Sequence, residues 1–106
     1  MLTGKQKRHL RTIGHKLKPV VQIGKREIED SLVSEVRAAL DHHELIKIRL
    51  LESCLFERHE AADILAEACS AEVTQVLGKT FLLYKPADKP VITLPKTGKT
   101  APMRTI

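Results

Sequence analysis

Val20-Val21-Gln22-Ile23 is a short apolar run of β type that stops at Gly24, and Lys25-Arg26-Glu27 follows at once. A helical pattern begins within a few residues, at Ile28-Glu29-Asp30-Ser31-Leu32. A strand ending in glycine, a tight basic turn and a helix N-terminus bring backbone N–H groups and two cations to one spot. Such a spot can hold phosphate oxygens. The same residues also suit an ordinary strand-to-helix connection with a solvated Lys-Arg pair, and short glycine turns are weak motifs. The choice between the two rests on what surrounds the turn.

The surroundings are basic, but unevenly so. The 106 residues leave room for one domain with a single two-layer core, and they carry 18 Lys+Arg against 13 Asp+Glu. A net charge of +5 and a pI near 9.4 call for a polyanionic partner, either nucleic acid or an acidic membrane surface. Residues 1–18 hold six cations and no acid, residues 28–44 are net −4, residues 52–75 net −5 and residues 76–106 net +5. No apolar run approaches the roughly 18 residues of a membrane span, and the first residues lack a signal-peptide pattern, so a cytoplasmic protein is expected. Cys54 and Cys69 form no CxxC pair and read as reduced, partly buried thiols. Three aromatic residues, Phe56, Phe81 and Tyr84, are too few and too scattered for a platform that stacks several bases.

The elements that would position these groups follow from periodicity. Residues 3–18 predict a helix with Leu10, Ile13 and Leu17 on one face and Arg8, Arg11, His15 and Lys18 on another, ended by Pro19. Residues 20–23 predict a buried strand. A second helix is expected over 29–42, with Ile28, Leu32, Val36, Ala39 and Leu40 on its core side. In residues 45–51, Ile46, Ile48 and Leu50 alternate with Lys47 and Arg49, which makes one sheet face apolar and the other basic. A third helix over 57–69 turns Ala62, Leu65, Ala66 and Cys69 inward, and strands over 72–77 and 81–84 form a hairpin around Gly78-Lys79-Thr80. The order α-β-α-β-α-β-β implies a mixed four-stranded sheet with helices packed on it, an α/β (α+β mixed) fold with parallel and antiparallel pairing. Beyond Lys85, prolines recur among Lys, Thr and Gly, so residues 86–106 read as a basic tail in which 91–94 could add an edge strand.

Catalytic signatures fall short. Gly78-Lys79-Thr80 and Gly98-Lys99-Thr100 end like a phosphate-binding P-loop, but Val73 and Thr93 stand where its first glycine belongs. His59-Glu60-Ala61-Ala62-Asp63 opens like a zinc-protease helix and puts Asp63 at the second ligand position. His42-His43 reads as a helix end, capping carbonyls or meeting solvent. The sequence therefore implies no catalytic residues, no metal, no cofactor and no small-molecule substrate, and the protein is expected not to be an enzyme.

Several stretches together resemble the CRM-domain family, and within it the single-domain bacterial YhbY type. They are Gly4-Lys5-Gln6-Lys7-Arg8-His9-Leu10-Arg11, Leu17-Lys18-Pro19-Val20-Val21-Gln22-Ile23-Gly24, His43-Glu44-Leu45-Ile46-Lys47-Ile48-Arg49 and Val76-Leu77-Gly78-Lys79-Thr80-Phe81-Leu82-Leu83-Tyr84-Lys85, with Ile92-Thr93-Leu94-Pro95 in the tail. The resemblance runs over about residues 3–95 in one register. It implies a fold like the C-terminal domain of translation initiation factor three, a CRM-like RNA-binding domain over 1–85 and a basic tail over 86–106. It also implies RNA binding on bacterial precursors of the large ribosomal subunit. One position departs: the family's loop is GxxG, and here Gly24-Lys25-Arg26-Glu27 carries Glu27 at the second glycine, which argues against a close backbone clamp on phosphate. The residues expected to meet RNA are Lys5, Lys7, Arg8, Arg11, His15, Lys18, Gly24, Lys25, Arg26, Lys47, Arg49 and Lys79. The alternatives are a protein-interaction adaptor working through its two acidic helices, or a general RNA chaperone or translation-associated factor. The sequence leaves oligomeric state open.

Overall fold

The computed structural model describes residues 2–25 and 27–86. The expectations for Arg26, for the tail and for an edge strand over 91–94 lie outside the described residues. Three helices and four strands follow in the order α1 (Gly4–Gly14), β1 (Val21–Ile23), α2 (Asp30–His43), β2 (Leu45–Leu50), α3 (Arg58–Cys69), β3 (Glu72–Leu77) and β4 (Thr80–Tyr84). This is the expected order. The strands form one sheet in the order β1-β2-β4-β3; β1 and β2 are parallel, and β4 is antiparallel to both its neighbours.

The sheet separates two apolar clusters. On one face, Leu32, Val36 and Leu40 of α2 and Ala61, Ala62, Leu65, Ala66 and Cys69 of α3 are buried against Val21, Ile23, Ile46, Ile48, Leu50, Phe81 and Leu83. Ile28 and Ala39 pack at the margin of this core rather than inside it. Burial of the Cys69 thiol pushes its pKa up, and its Sγ faces the Val33 carbonyl at 3.8 Å, so it is an inert core thiol. On the opposite face α1 sets Leu10 against Leu45, Leu82 and Tyr84, with Leu2, Ile13 and Leu17 around them. Burial, with the Glu44 charge second, raises the Tyr84 pKa and keeps the phenol neutral in this smaller core.

Helix α1 begins with a capping box: the Gln6 N–H donates to Thr3 Oγ1 at 3.1 Å, and the Thr3 N–H donates to Gln6 Oε1 at 3.0 Å. It stops earlier than Pro19 alone would require. Gly14 lies so close to Leu82 that a Cβ there would collide with the buried Leu82 side chain, so any other residue would have to displace Leu82 or lift the last turn off β4. Beyond it, the Lys16 and Leu17 N–H groups donate to the Ile13 and Gly14 carbonyls at 3.1 and 3.0 Å, and this tighter turn swings Leu17 back to the apolar cluster. Lys18 therefore leaves the helical face on which a continuous helix would have placed it.

Strand β3 also breaks simple alternation. Val73 faces Leu83 and Val76 faces Phe81, although the two valines are an odd number of residues apart. A bulge at Thr74, between Val73 and Gln75, restores the phase so that both valines reach the core and Glu72, Gln75 and Leu77 share the other face. The hairpin turn is Gly78-Lys79, with Thr80 already in β4, and Gly78 has φ of 59°, which suits the first turn position of a type II′ hairpin.

At the start of α3, Glu57 caps the helix by accepting from the His59 and Glu60 N–H groups at 3.0 and 3.3 Å, and the His59 ring Nδ1 lies 2.9 Å from its second oxygen. The His59 ring and N–H hold the Glu57 carboxyl below the usual carboxylate range. A lowered folded-state pKa means this stabilisation is present in full above the unfolded value and is lost as pH falls through the folded one. Glu57→Gln should flatten the acid side of the stability curve between about pH 5 and pH 3; parallel urea-unfolding curves for the two proteins would contradict the assignment. Gly14→Leu should cost about 1–3 kcal/mol through overpacking against Leu82. An unchanged urea midpoint would show that α1 is not seated as described.

Candidate nucleic-acid interface

The register of the sheet sorts the face bearing α1 into three rows. Glu72, Tyr84 and Leu45 lie side by side in the first, Gln75, Leu82 and Lys47 in the second, and Leu77, Thr80, Arg49 and Gln22 in the third. Successive rows are about 7 Å apart, two residues along a strand. Helix α1 covers the first row and Leu82 in the middle of the second. Its flanks, Gln75 and Lys47, border open grooves, and in the third row Arg49, Gln22 and Leu77 are exposed.

The two grooves divide the predicted basic ridge. Arg8, Arg11 and His15 do come together, lining one groove with Thr12, Lys16 and Gln75. Lys18 does not join them. Because the helix ends at Gly14, Lys18 lies in the groove on the other side of α1 with His43 and Lys47, over an apolar floor of Ile13, Leu17, Val20 and Leu45. Lys5 and Lys7 belong to the N-terminal half of α1 and line neither groove.

The Gly24 turn lies at the far end of the same face, since Ile23 pairs with Leu50 at the close of β2. Lys25 is exposed there. A Cβ on Gly24 would meet Ser53 Oγ and Leu51 Cδ1 only at 3.4 and 3.5 Å, so packing does not demand a glycine. The turn and a helix N-terminus do not coincide, however. Helix α2 starts at Asp30, and Glu29 and Asp30 already set carboxylates at the positive end of its dipole. Among the described residues, what this end offers an anion is therefore the exposed Lys25 rather than the helix terminus. Glu29 occupies the N-cap without a capping hydrogen bond from its side chain. Lys79, at the hairpin, forms an ion pair with Glu52 at 3.2 Å, with both side chains largely exposed. Such pairs contribute little and exchange readily with solvent or another anion.

Gln22, Gln75 and Thr80 join this surface although their residue types alone do not mark them, and so does Lys16, a cation of the first segment that the predicted ridge left out. Gln22 was legible: it is the polar member of Val21-Gln22-Ile23, so it must face away from the core, on the side of Arg49 if the strands are parallel. Gln75 was not, because its face depends on the Thr74 bulge. The acids of α2 and α3, among them Glu35, Asp41, Asp63 and Glu67, are exposed on helices that pack against the opposite face of the sheet. His42 and His43, also exposed, end α2 with ring centroids 6.1 Å apart. Phe81 and Tyr84 are both buried, and neither offers a ring to the open rows. Among the described residues no cluster of His, Cys, Asp and Glu could hold a metal ion, and no helix is long and apolar enough to cross a membrane.

These features define a small α/β domain whose sheet is acidic-helical on one side and half-open and cationic on the other. The chain belongs to the CRS1/YhbY (CRM) domain family, whose profile matches residues 2–85. It is 39% identical over 85 residues to a probable RNA-binding protein, YqeI, of Bacillus subtilis, covering 80% of this chain and 88% of that one. An RNA-binding protein of Haemophilus influenzae is 30% identical over 95 residues, covering 90% of this chain and 96% of the relative. The solution structure of SAV1595 from Staphylococcus aureus, a candidate RNA-binding protein, superposes with a TM-score of 0.75 at 38% identity, covering 90% of this chain and all of that one.

Proposed function

We propose that this chain binds RNA through the open half of the α1 face and that it works without catalysis, assisting assembly of the large ribosomal subunit on precursor particles in the bacterial cytoplasm. The observation that carries the reading is the convergence of Arg8, Arg11, His15, Lys47 and Arg49 on one sheet face, with the exposed carboxylates of α2 and α3 on the other. Lys25 extends this surface at the turn. The names of the relatives support RNA as the polyanion, and the resemblance noted in the sequence supports the ribosomal precursor.

Cations on a sheet face and helix flank meet phosphates rather than base edges, so the complex recognises RNA shape and its affinity falls steeply with salt. Glu27, exposed beside the turn, keeps the backbone from closing onto a phosphate as a second glycine would allow. The acidic helices favour a second reading, an adaptor for a basic protein partner. Pull-downs before and after nuclease treatment separate the two, because only an adaptor keeps its partner.

Arg8→Ala combined with Arg49→Ala should weaken RNA binding and reduce the slope of log affinity against log salt by about one for each phosphate that is no longer neutralised. The melting temperature should hold, since Arg8 and Arg49 are exposed. An affinity indifferent to salt would count against the proposal. In low-salt sucrose gradients of cell lysate, the tagged protein should sediment near the large subunit and shift to the top with high salt or ribonuclease. A protein that stays at the top throughout would remove the ribosomal part of the reading.

A further inference from the structure

The end of the sheet that carries the Gly24 turn holds an open cavity of about 510 Å³ that the phosphate-binding account leaves unused. It lies between the β2–α3 connection and the β3–β4 hairpin. Leu50, Leu51, Cys54 and Phe56 give it an apolar floor. Its rim is mixed: Lys79 pairs with Glu52, Arg58 donates to the Gly78 carbonyl at 2.8 Å, and Glu57 stands at the start of α3. The two carboxylates offset the two cations, so the rim offers a phosphate no net attraction, and the apolar floor adds none. A neutral planar heterocycle carrying both donors and acceptors suits all three features. The size is ample for one, since ligand pockets begin at about 300 Å³.

The cavity lies at the end of the sheet just beyond the third row. Arg49 precedes Leu50, whose side chain points to the α2 and α3 face, and Thr80 follows Lys79. RNA on the third row therefore reaches the cavity around the end of the sheet rather than across its face. Phe56 packs on the core and lines the cavity, which makes it the one aromatic side chain available at the RNA-facing end. Leu51, Leu55 and Leu77 are exposed at 38%, 53% and 55%, and they leave apolar surface at the same end of the sheet.

We infer that this cavity takes one unstacked nucleobase of the RNA whose phosphates lie on the cationic face, an inference that rests on the proposed RNA binding. Phe56 and the leucines supply the apolar contact, and the carboxylates and the Lys79 and Arg58 donors meet the base edge. The protein then distinguishes RNA with an unpaired nucleotide beside a helix from a plain duplex. Base stacking on one aromatic side chain is tolerant of sequence, so any of the four bases can enter.

Cys54, half-buried in the cavity floor, reports on occupancy, and the buried Cys69 is a silent control. The full chain is saturated, as judged by fluorescence anisotropy, with either an RNA hairpin bearing an unpaired loop or a fully paired RNA duplex, and alkylation by N-ethylmaleimide is followed by mass spectrometry. The hairpin should slow Cys54 alkylation roughly fivefold or more while the duplex leaves it unchanged, and Phe56→Leu should lose about tenfold in affinity for the hairpin and little for the duplex. Equal protection by both RNAs, or by neither, would overturn the base pocket while leaving the phosphate-binding face intact. Protection in lysate that survives ribonuclease would assign the cavity to a protein partner and overturn it too. Absence of any anisotropy change would instead overturn RNA binding itself, and the pocket with it.

Discussion

The seating of α1 on the sheet is the contact on which the rest depends. Leu10 closes over Leu45, Leu82 and Tyr84, and Gly14 brings the last turn of the helix against Leu82. This contact does two things at once. It hides apolar side chains that would otherwise leave the second sheet face open to aggregation, and α1 ends there at Gly14, so that the third row and the two flanks of the second stay uncovered. Arg8, Arg11 and His15 thereby line the open groove beside Gln75. A longer helix, or one lifted by a side chain at position 14, would cover or scatter the same cations.

Charge then follows topology. The helices that pack on the opposite face carry the acids outward, and the helix on this face carries cations outward, so the fold separates sequence blocks of opposite sign by the thickness of the sheet. Separation matters more than the modest net charge of +5. Exposed charges beyond about a Debye length are screened at physiological salt, so the acids of α2 and α3 do little to weaken an anion held on the far face. They do prevent that anion from binding the wrong side. Glu27, beside the turn, and Glu52, paired with Lys79, are acids that lie outside those two helices at the end of the sheet.

The fold was legible because its signals were local and redundant. Each helix showed its apolar stripe, β2 alternated Ile46, Ile48 and Leu50 with Lys47 and Arg49, and the element order alone implied a mixed sheet. Three features were hidden because they depend on contacts between distant residues. Helix α1 ends at Gly14, which packs on the distant Leu82, so a reading that waited for Pro19 placed Lys18 on the wrong side of the helix. The phase of β3 is set by a bulge at Thr74, which no pattern of single residues announces. The ion pair of Lys79 joins two loops, one after β2 and one between β3 and β4. The cationic residue types could be read from the chain, but that Arg8, Arg11 and His15 lie beside Gln75 on the face of Lys47 and Arg49 could not be, because it depends on the register of β3 and β4.

The most direct test of the central claim is to ask which side of the sheet RNA touches. The purified full chain, bound to a ribosomal RNA fragment and irradiated with ultraviolet light, would be digested and its RNA-modified peptides mapped by mass spectrometry. The account predicts crosslinks on α1 from Arg8 onward, on β2 around Lys47 and Arg49, and at the turn around Lys25. Crosslinks concentrated on the outward faces of α2 and α3, with none on these three segments, would contradict it.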